Sequence, residues 1–324
     1  MRRTPALARW FAGAFALSAS GAGVGAPYAY VTNQKANSVS VIDTATAQVV
    51  KTLAVGAEPA GVAVNRDGTR ICVSNPGGKS ITLIDGLKNE VIGELRLGEG
   101  PLGIAVDPAG SRAYVAEWYE HYLSIVDLRA MQPVGRIPVG HTPAGVVVSP
   151  DGARVFVANR DDDSVSAIDI SSRSIVGTVK VGKHPFGITL NTSRDRLYSA
   201  NVESNDVSIV DTRTMSLVKS VKVGDRPYAS ALGAGGTRLF VTNQYDNTLS
   251  VLDTATDEVV ATVPVGEYPE GVAASADGAR IYVANWFSNS VTVIDAASLK
   301  VEATIPTGNG SRGFGNFVAG TVVP

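Results

Sequence analysis

The side chains of this sequence best suited to chemistry are His121, His141, His184 and Glu117. Imidazole nitrogens with a carboxylate make a donor set for a divalent metal, and the same groups can serve as general acid and base. A second set is aromatic: Trp118, Tyr119, Tyr245, Tyr268, Trp286 and Phe287, with Arg226 as a cation. These suit contact with a ligand or protein partner, flat apolar surface giving area and polar groups giving orientation. Cys72 is the only cysteine. A disulfide within the chain, a CxxC metal site and a CxxCH haem attachment are therefore excluded.

What positions these residues is a repeat. A glycine opens a VGxxPxG segment at Gly56, Gly98, Gly140, Gly182, Gly224, Gly266 and Gly308, always 42 residues apart. An alternating strand ends at Asp43, Asp85, Asp127, Asp169, Asp211, Asp253 and Asp295, and a YVTN-like strand at Asn33, Asn75, Glu117, Asn159, Asn201, Asn243 and Asn285. Within one copy, residues 145–181, an apolar run (GVVV), two alternating runs (RVFVAN, SVSAID) and a polar-faced run (SIVGTVKVG) are separated by turn residues. Four antiparallel strands per repeat of this length is the pattern of a propeller blade.

The chain begins its first copy at a second strand, Tyr28–Asn33, and ends with a lone inner strand, residues 313–320. Pairing the two closes the ring and leaves no free sheet edge at the seam. The expected fold is therefore all-β: one seven-bladed β-propeller over residues 27–324, four antiparallel strands per blade.

Residues present in every blade are scaffold. The Arg heading six of the seven second strands, such as Arg70, sits opposite the Asp ending the third, such as Asp85, which predicts a cross-strand ion pair and an Asx turn. The glycines of VGxxPxG are expected to supply positive φ, and the prolines to fix strand entry. Cys72 stands where other blades have Tyr or Phe, and reads as a smaller core residue.

Strand direction sorts the loops onto two faces. The DG and DTAT turns share one, nearly uniform face, where little specificity can reside. The loops between second and third strands and the blade-to-blade connections share the other, and this face varies. Its largest departure is Glu117–Trp118–Tyr119–Glu120–His121, and all three histidines, Arg226 and the remaining aromatics map to it. Three readings are open: exposed loops free to vary, a mouth for a ligand or partner, or a metal site using His121, His141, His184 and Glu117.

Arg2, Arg3 and Arg9 precede an apolar run and a small-residue stretch. This is the layout of a secretory signal peptide over residues 1–26, cleaved after Ala22 or Ala26, with no membrane span remaining. The location is then periplasmic, secreted or at the cell surface. Removing the three arginines leaves 25 basic against 30 acidic side chains, a net of −5. An acidic chain lacks the clustered cations that nucleic acid requires.

The strands YVTN (30–33), FVTN (240–243), YVAN (282–285) and FVAN (156–159), joined to SVSVID (38–43) and SVTVID (290–295), resemble the YVTN-family β-propeller repeat. That resemblance spans the whole mature chain. It implies a surface-layer or periplasmic protein, and some similar propellers accompany quinoprotein oxidation systems, so a periplasmic redox partner is one expectation. The eight-bladed haem d1 domain of nitrite reductase is a related ring, and propeller lactonases are distant relatives whose catalytic residues find no match here. The function expected is an exported binding or scaffold propeller. It would engage a protein or small ligand through the variable face, with no cofactor specified. The alternative is a lactonase- or lyase-like enzyme, metal-assisted or not, using His and Glu at the channel mouth.

Overall fold

The computed structural model describes residues 28–320; the expected signal peptide lies outside them. Seven antiparallel sheets form a ring. Blade 1 comprises Tyr28–Asn33, Ser38–Asp43 and Gln48–Ala54. Blades 2 to 7 occupy residues 62–96, 101–138, 143–180, 185–222, 227–264 and 269–306, each with four strands in chain order from the channel outward.

Blade 1 lacks an inner strand of its own, and the C-terminal segment supplies it. Tyr30 N–H donates to the Phe317 carbonyl and Ala319 N–H to that of Tyr28, each at 2.8 Å. The closing segment is less regular than the other inner strands because Gly313 and Gly315 hold φ of 61° and 108°. This kink turns Phe314–Asn316 toward blade 2, where Val62 N–H donates to Phe314 O at 2.7 Å and Val64 N–H to Asn316 O at 3.0 Å. One segment thus binds the blades on both sides of the seam.

The core lies between sheets. Tyr30, Tyr114, Phe156, Tyr198, Phe240 and Tyr282 occupy one repeat position and are wholly buried. Cys72 fills the seventh place, and burial pushes its thiol up to about 12.

Two scaffold expectations change in detail. Arg70 does lie opposite Asp85 in register, and Asp43 Oδ1 accepts the N–H groups of Ala45 and Thr46 as an Asx turn does. Of these Arg–Asp pairs, however, only Arg196–Asp211, at 3.0 Å, closes into an ion pair among the described residues. Arg154, Arg238 and Arg280 instead reach the next blade and donate to the carbonyls of Thr212, Ala296 and Thr44. Except for Gly313 in the closing segment, the glycines at the end of this motif are not in the positive-φ region either. A Cβ on Gly61, Gly103 or Gly145 would overlap the carbonyl oxygen of Leu102, Ala144 or Phe186 on the adjacent inner strand. They are glycine because neighbouring backbones touch there.

Candidate functional site

Each second strand ends in a side chain with a fixed duty. Asn33 Nδ2 donates to Ser38 Oγ at 3.1 Å and Ser40 Oγ at 2.9 Å, and Asn75, Asn159, Asn201, Asn243 and Asn285 donate likewise to the matching positions. Four residues on, in left-handed conformation, Asn37, Asn205, Asn247 or Asn289 accepts the backbone N–H of a blade-to-blade connection.

Seen beside these, the loop 117–121 is a disguised copy of its neighbours. Glu117 is wholly buried in the Asn position, accepting from Ser124 Oγ at 2.8 Å while Oε2 has no hydrogen-bond partner. Burial is the main reason its carboxyl rises to about 7. His121, with φ of 56°, does the work of the second Asn: its Nδ1 accepts Thr142 N–H at 3.2 Å. Glu120 accepts Glu99 N–H as Ser204 accepts that of Lys183. Glu117, Glu120 and His121 are therefore engaged with the scaffold of the repeat, although His121 stays exposed.

The histidines do not converge on one point. The His121 and His141 rings meet edge to face at 4.8 Å. His141 Nδ1 lies 2.8 Å from Asp162 Oδ1, and His184 Nδ1 lies 2.8 Å from Glu203 Oε1, the latter not aligned as a hydrogen bond. Among the described residues, no group of three His, Cys, Asp or Glu side chains could hold a metal ion.

The aromatic residues do come together. Tyr268 packs against Tyr245, Trp286 and Phe287 at ring-centroid distances of 5.9, 5.9 and 5.0 Å. Arg226 covers Tyr245 at one end, and Lys35 covers Trp286 at the other. Trp286 Nε1 donates to Gln34 Oε1 at 3.1 Å. Tyr245 and Phe287 are 56% and 53% exposed, and Tyr119, apart from this arc, 68%. Trp118 belongs elsewhere: it packs on Phe186, whose ring meets Tyr228 at 4.1 Å and Phe314 at 4.9 Å. Those rings stopper the central channel.

Between stopper and arc lies a charged cluster that motif reading passed over. The fourth residue after the opening glycine of the VGxxPxG segment is, blade by blade, Ala60, Leu102, Ala144, Phe186, Tyr228, Glu270 and, in the closing segment, Arg312. Arg312 Nε contacts Glu270 Oε2 at 2.7 Å without aligning as a hydrogen bond. Arg312 Nη2 donates to Tyr228 Oη at 2.5 Å, and Gln244 Nε2 to Glu270 Oε1 at 3.1 Å. Burial raises the Glu270 carboxyl, with the guanidinium working against it. The Tyr268 hydroxyl is raised mainly by burial, and it feels both charges. The signal that could have found this cluster was a position that changes chemistry at every step of an otherwise constant motif.

Behind the stopper the channel widens into a chamber of about 620 Å³, walled by the inner strands and open at the DG-turn rim near Arg66, Pro150 and Asp277. The uniform face is therefore not featureless.

Against known proteins, a model of YNCE-like β-propellers matches residues 3–112 and 192–318. The chain belongs to the YNCE-like β-propeller family. The seven-bladed lactonase propeller model also matches this YNCE-like chain, over residues 85–232. No curated protein gives a match. Among solved structures, Kuenenia stuttgartiensis hydrazine synthase is 24% identical with a TM-score of 0.75, covering 89% of this chain and 100% of that one. A functionally unknown protein from Desulfotomaculum acetoxidans is 14% identical with a TM-score of 0.76, covering 89% and 99%. The dihydro-heme d1 dehydrogenase NirN, in complex with DHE, is 15% identical with a TM-score of 0.70, covering 91% and 76%. At these identities the likeness is one of fold.

Proposed function

We propose that this YNCE-like propeller is an exported binding protein of the periplasm or cell surface, akin to surface-layer propellers, that engages a partner protein or small ligand through its variable face. One observation carries the reading. Tyr245, Tyr268, Trp286 and Phe287 are contiguous, partly exposed and capped by Arg226 and Lys35, and these rings make no contribution to the repeated hydrogen-bond scheme. Exposed aromatic clusters of this kind are enriched where proteins bind. A partner in a periplasmic redox system fits the company of hydrazine synthase and NirN in fold space. The test places a photo-crosslinking residue at Phe287 in the mature protein, in its native host, and repeats the experiment with Tyr245→Ala and Trp286→Ala. Crosslinks that vanish in both variants and persist in the DG-turn variant Asp151→Ala support the reading. Equal loss in all three removes it.

An enzymatic reading has one observation in its favour, the lactonase match over residues 85–232. The buried charged cluster lies between the stopper and the arc, yet Glu270 and Arg312 fall outside that match. Turnover of a lactone panel that is abolished by Glu270→Gln would favour catalysis over binding.

A further inference from the structure

We propose that the central chamber binds a medium-chain amphiphile, apolar body inward and anionic head at the DG-turn rim. This is independent of the reading of the variable face, since the two sites open on opposite faces.

The wall is built in tiers repeated at each blade. One tier, next to the rim, includes Val106, Val148 and Leu190, and a deeper one Ile104, Val146 and Ile188. Several of these, including Ala105 and Val147, are only partly covered, so the channel itself is what uncovers them. Midway along the wall the hydroxyls of Thr189 and Ser230 lie 2.8 Å apart and bond each other, and the other polar uncharged side chains of the lining, Ser149, Thr192, Ser275 and Asn316, lie nearer the rim. Thr189 Oγ1 also donates to the Ser230 carbonyl at 2.7 Å. Water in such a space finds few partners, and an apolar body displaces it favourably. Phe314 and the rings packed on it close one end, so entry is from the DG-turn rim only. From Val62 the wall runs through the strand Val62–Val64 into the turn at Arg66, a span of at most roughly 13 Å, the length of a medium alkyl chain.

The rim decides the head group. Asp277 is committed to its turn, accepting from Ser275 Oγ at 2.6 Å and Ala279 N–H at 3.0 Å. Arg66 lines the opening and makes no hydrogen bond or ion pair with the described residues. Its counterparts one and two repeats on are Pro108 and Pro150. A free cation above an apolar well fits a fatty carboxylate.

Calorimetric titration of the mature protein with decanoate, decanol and decylamine tests this. Decanoate is expected to bind one per chain and more tightly than decylamine. Ala105→Phe, which fills the well, should weaken decanoate at least about tenfold. Arg66→Gln should weaken decanoate about threefold and leave decanol unchanged. Tyr245→Ala on the opposite face should change neither. No binding, tighter binding of decylamine, or undiminished binding by a folded Ala105→Phe overturns the proposal. If Ala105→Phe does not fold, the Arg66→Gln contrast decides alone: equal weakening of decanol and decanoate overturns it.

Discussion

Arg312 Nε lies 2.7 Å from Glu270 Oε2 across the joint where the ring closes, one residue on the last blade and the other on the C-terminal segment that completes the first. Both side chains are largely out of water, 14% and 9% exposed. Buried charges of this kind cost desolvation free energy that their attraction only roughly offsets, whereas removing one partner leaves the other uncompensated. The pair therefore specifies the seam more than it stabilises it.

Its single and double variants should behave differently. Arg312→Ala or Glu270→Ala is expected to lower unfolding free energy by roughly 3–5 kcal/mol. Arg312→Met with Glu270→Leu should come within about 1 kcal/mol of the parent, or exceed it. Denaturant titration of the three variants measures this. A double variant as unstable as the singles would show that the charges themselves hold the ring shut.

Glu117 supplies a pH signature. Its carboxyl, raised by burial to about 7 from the ordinary 4.5, holds a proton in the folded state at pH values where the unfolded chain has released it. Linkage then makes this group's contribution greatest below about pH 4.5, declining as pH rises toward about 7 and flat above. Glu117→Gln should remove that slope and stabilise the protein at neutral pH by up to about 3 kcal/mol. Stability curves of parent and variant between pH 4 and 8, compared by difference, isolate the effect from other carboxylates. Parallel curves would mean that Glu117 ionises freely where it sits.

The architecture could be read from residues because its cause is local and repeated. A strand such as Arg154–Asn159 alternates for the same reason in every blade, and 42-residue spacing leaves each sheet two neighbours to pack on. The aromatic arc was legible for a related reason: Tyr245, Trp286 and Phe287 break a pattern. Roles were harder, because a substitution can break the pattern of letters while keeping that of hydrogen bonds, as Glu117 and His121 do. Arg312 was hidden differently. Its meaning depends on Glu270, 42 residues earlier, and on a closing segment whose kink at Gly315 brings Phe314 onto Phe186.

His121 offers the direct check of that distinction. Its Nδ1 accepts Thr142 N–H in the manner of Asn247 with Tyr268. His121→Asn should therefore leave the melting temperature close to the parent's, and His121→Ala should cost about 1 kcal/mol for the lost acceptor. If Asn is as damaging as Ala, the imidazole does something the repeat does not ask for, and its edge-to-face contact with His141 becomes the place to look.

Gly103 tests why the inner strands are glycine-bearing at all. Its φ is one that any residue can adopt, so strain predicts a small cost for Gly103→Ala. The adjacent backbone predicts a large one, because the new methyl overlaps the Ala144 carbonyl and no side chain can yield. The expected loss is about 3 kcal/mol or more. Gly235→Ala is the control: φ is 65° with nothing within 4 Å of the added carbon, so conformational strain alone should cost about 1 kcal/mol. Thermal or urea unfolding of the two variants ranks the effects. A cost at Gly103 no larger than at Gly235 would mean that adjacent blades can separate slightly, and that the channel has some freedom to breathe.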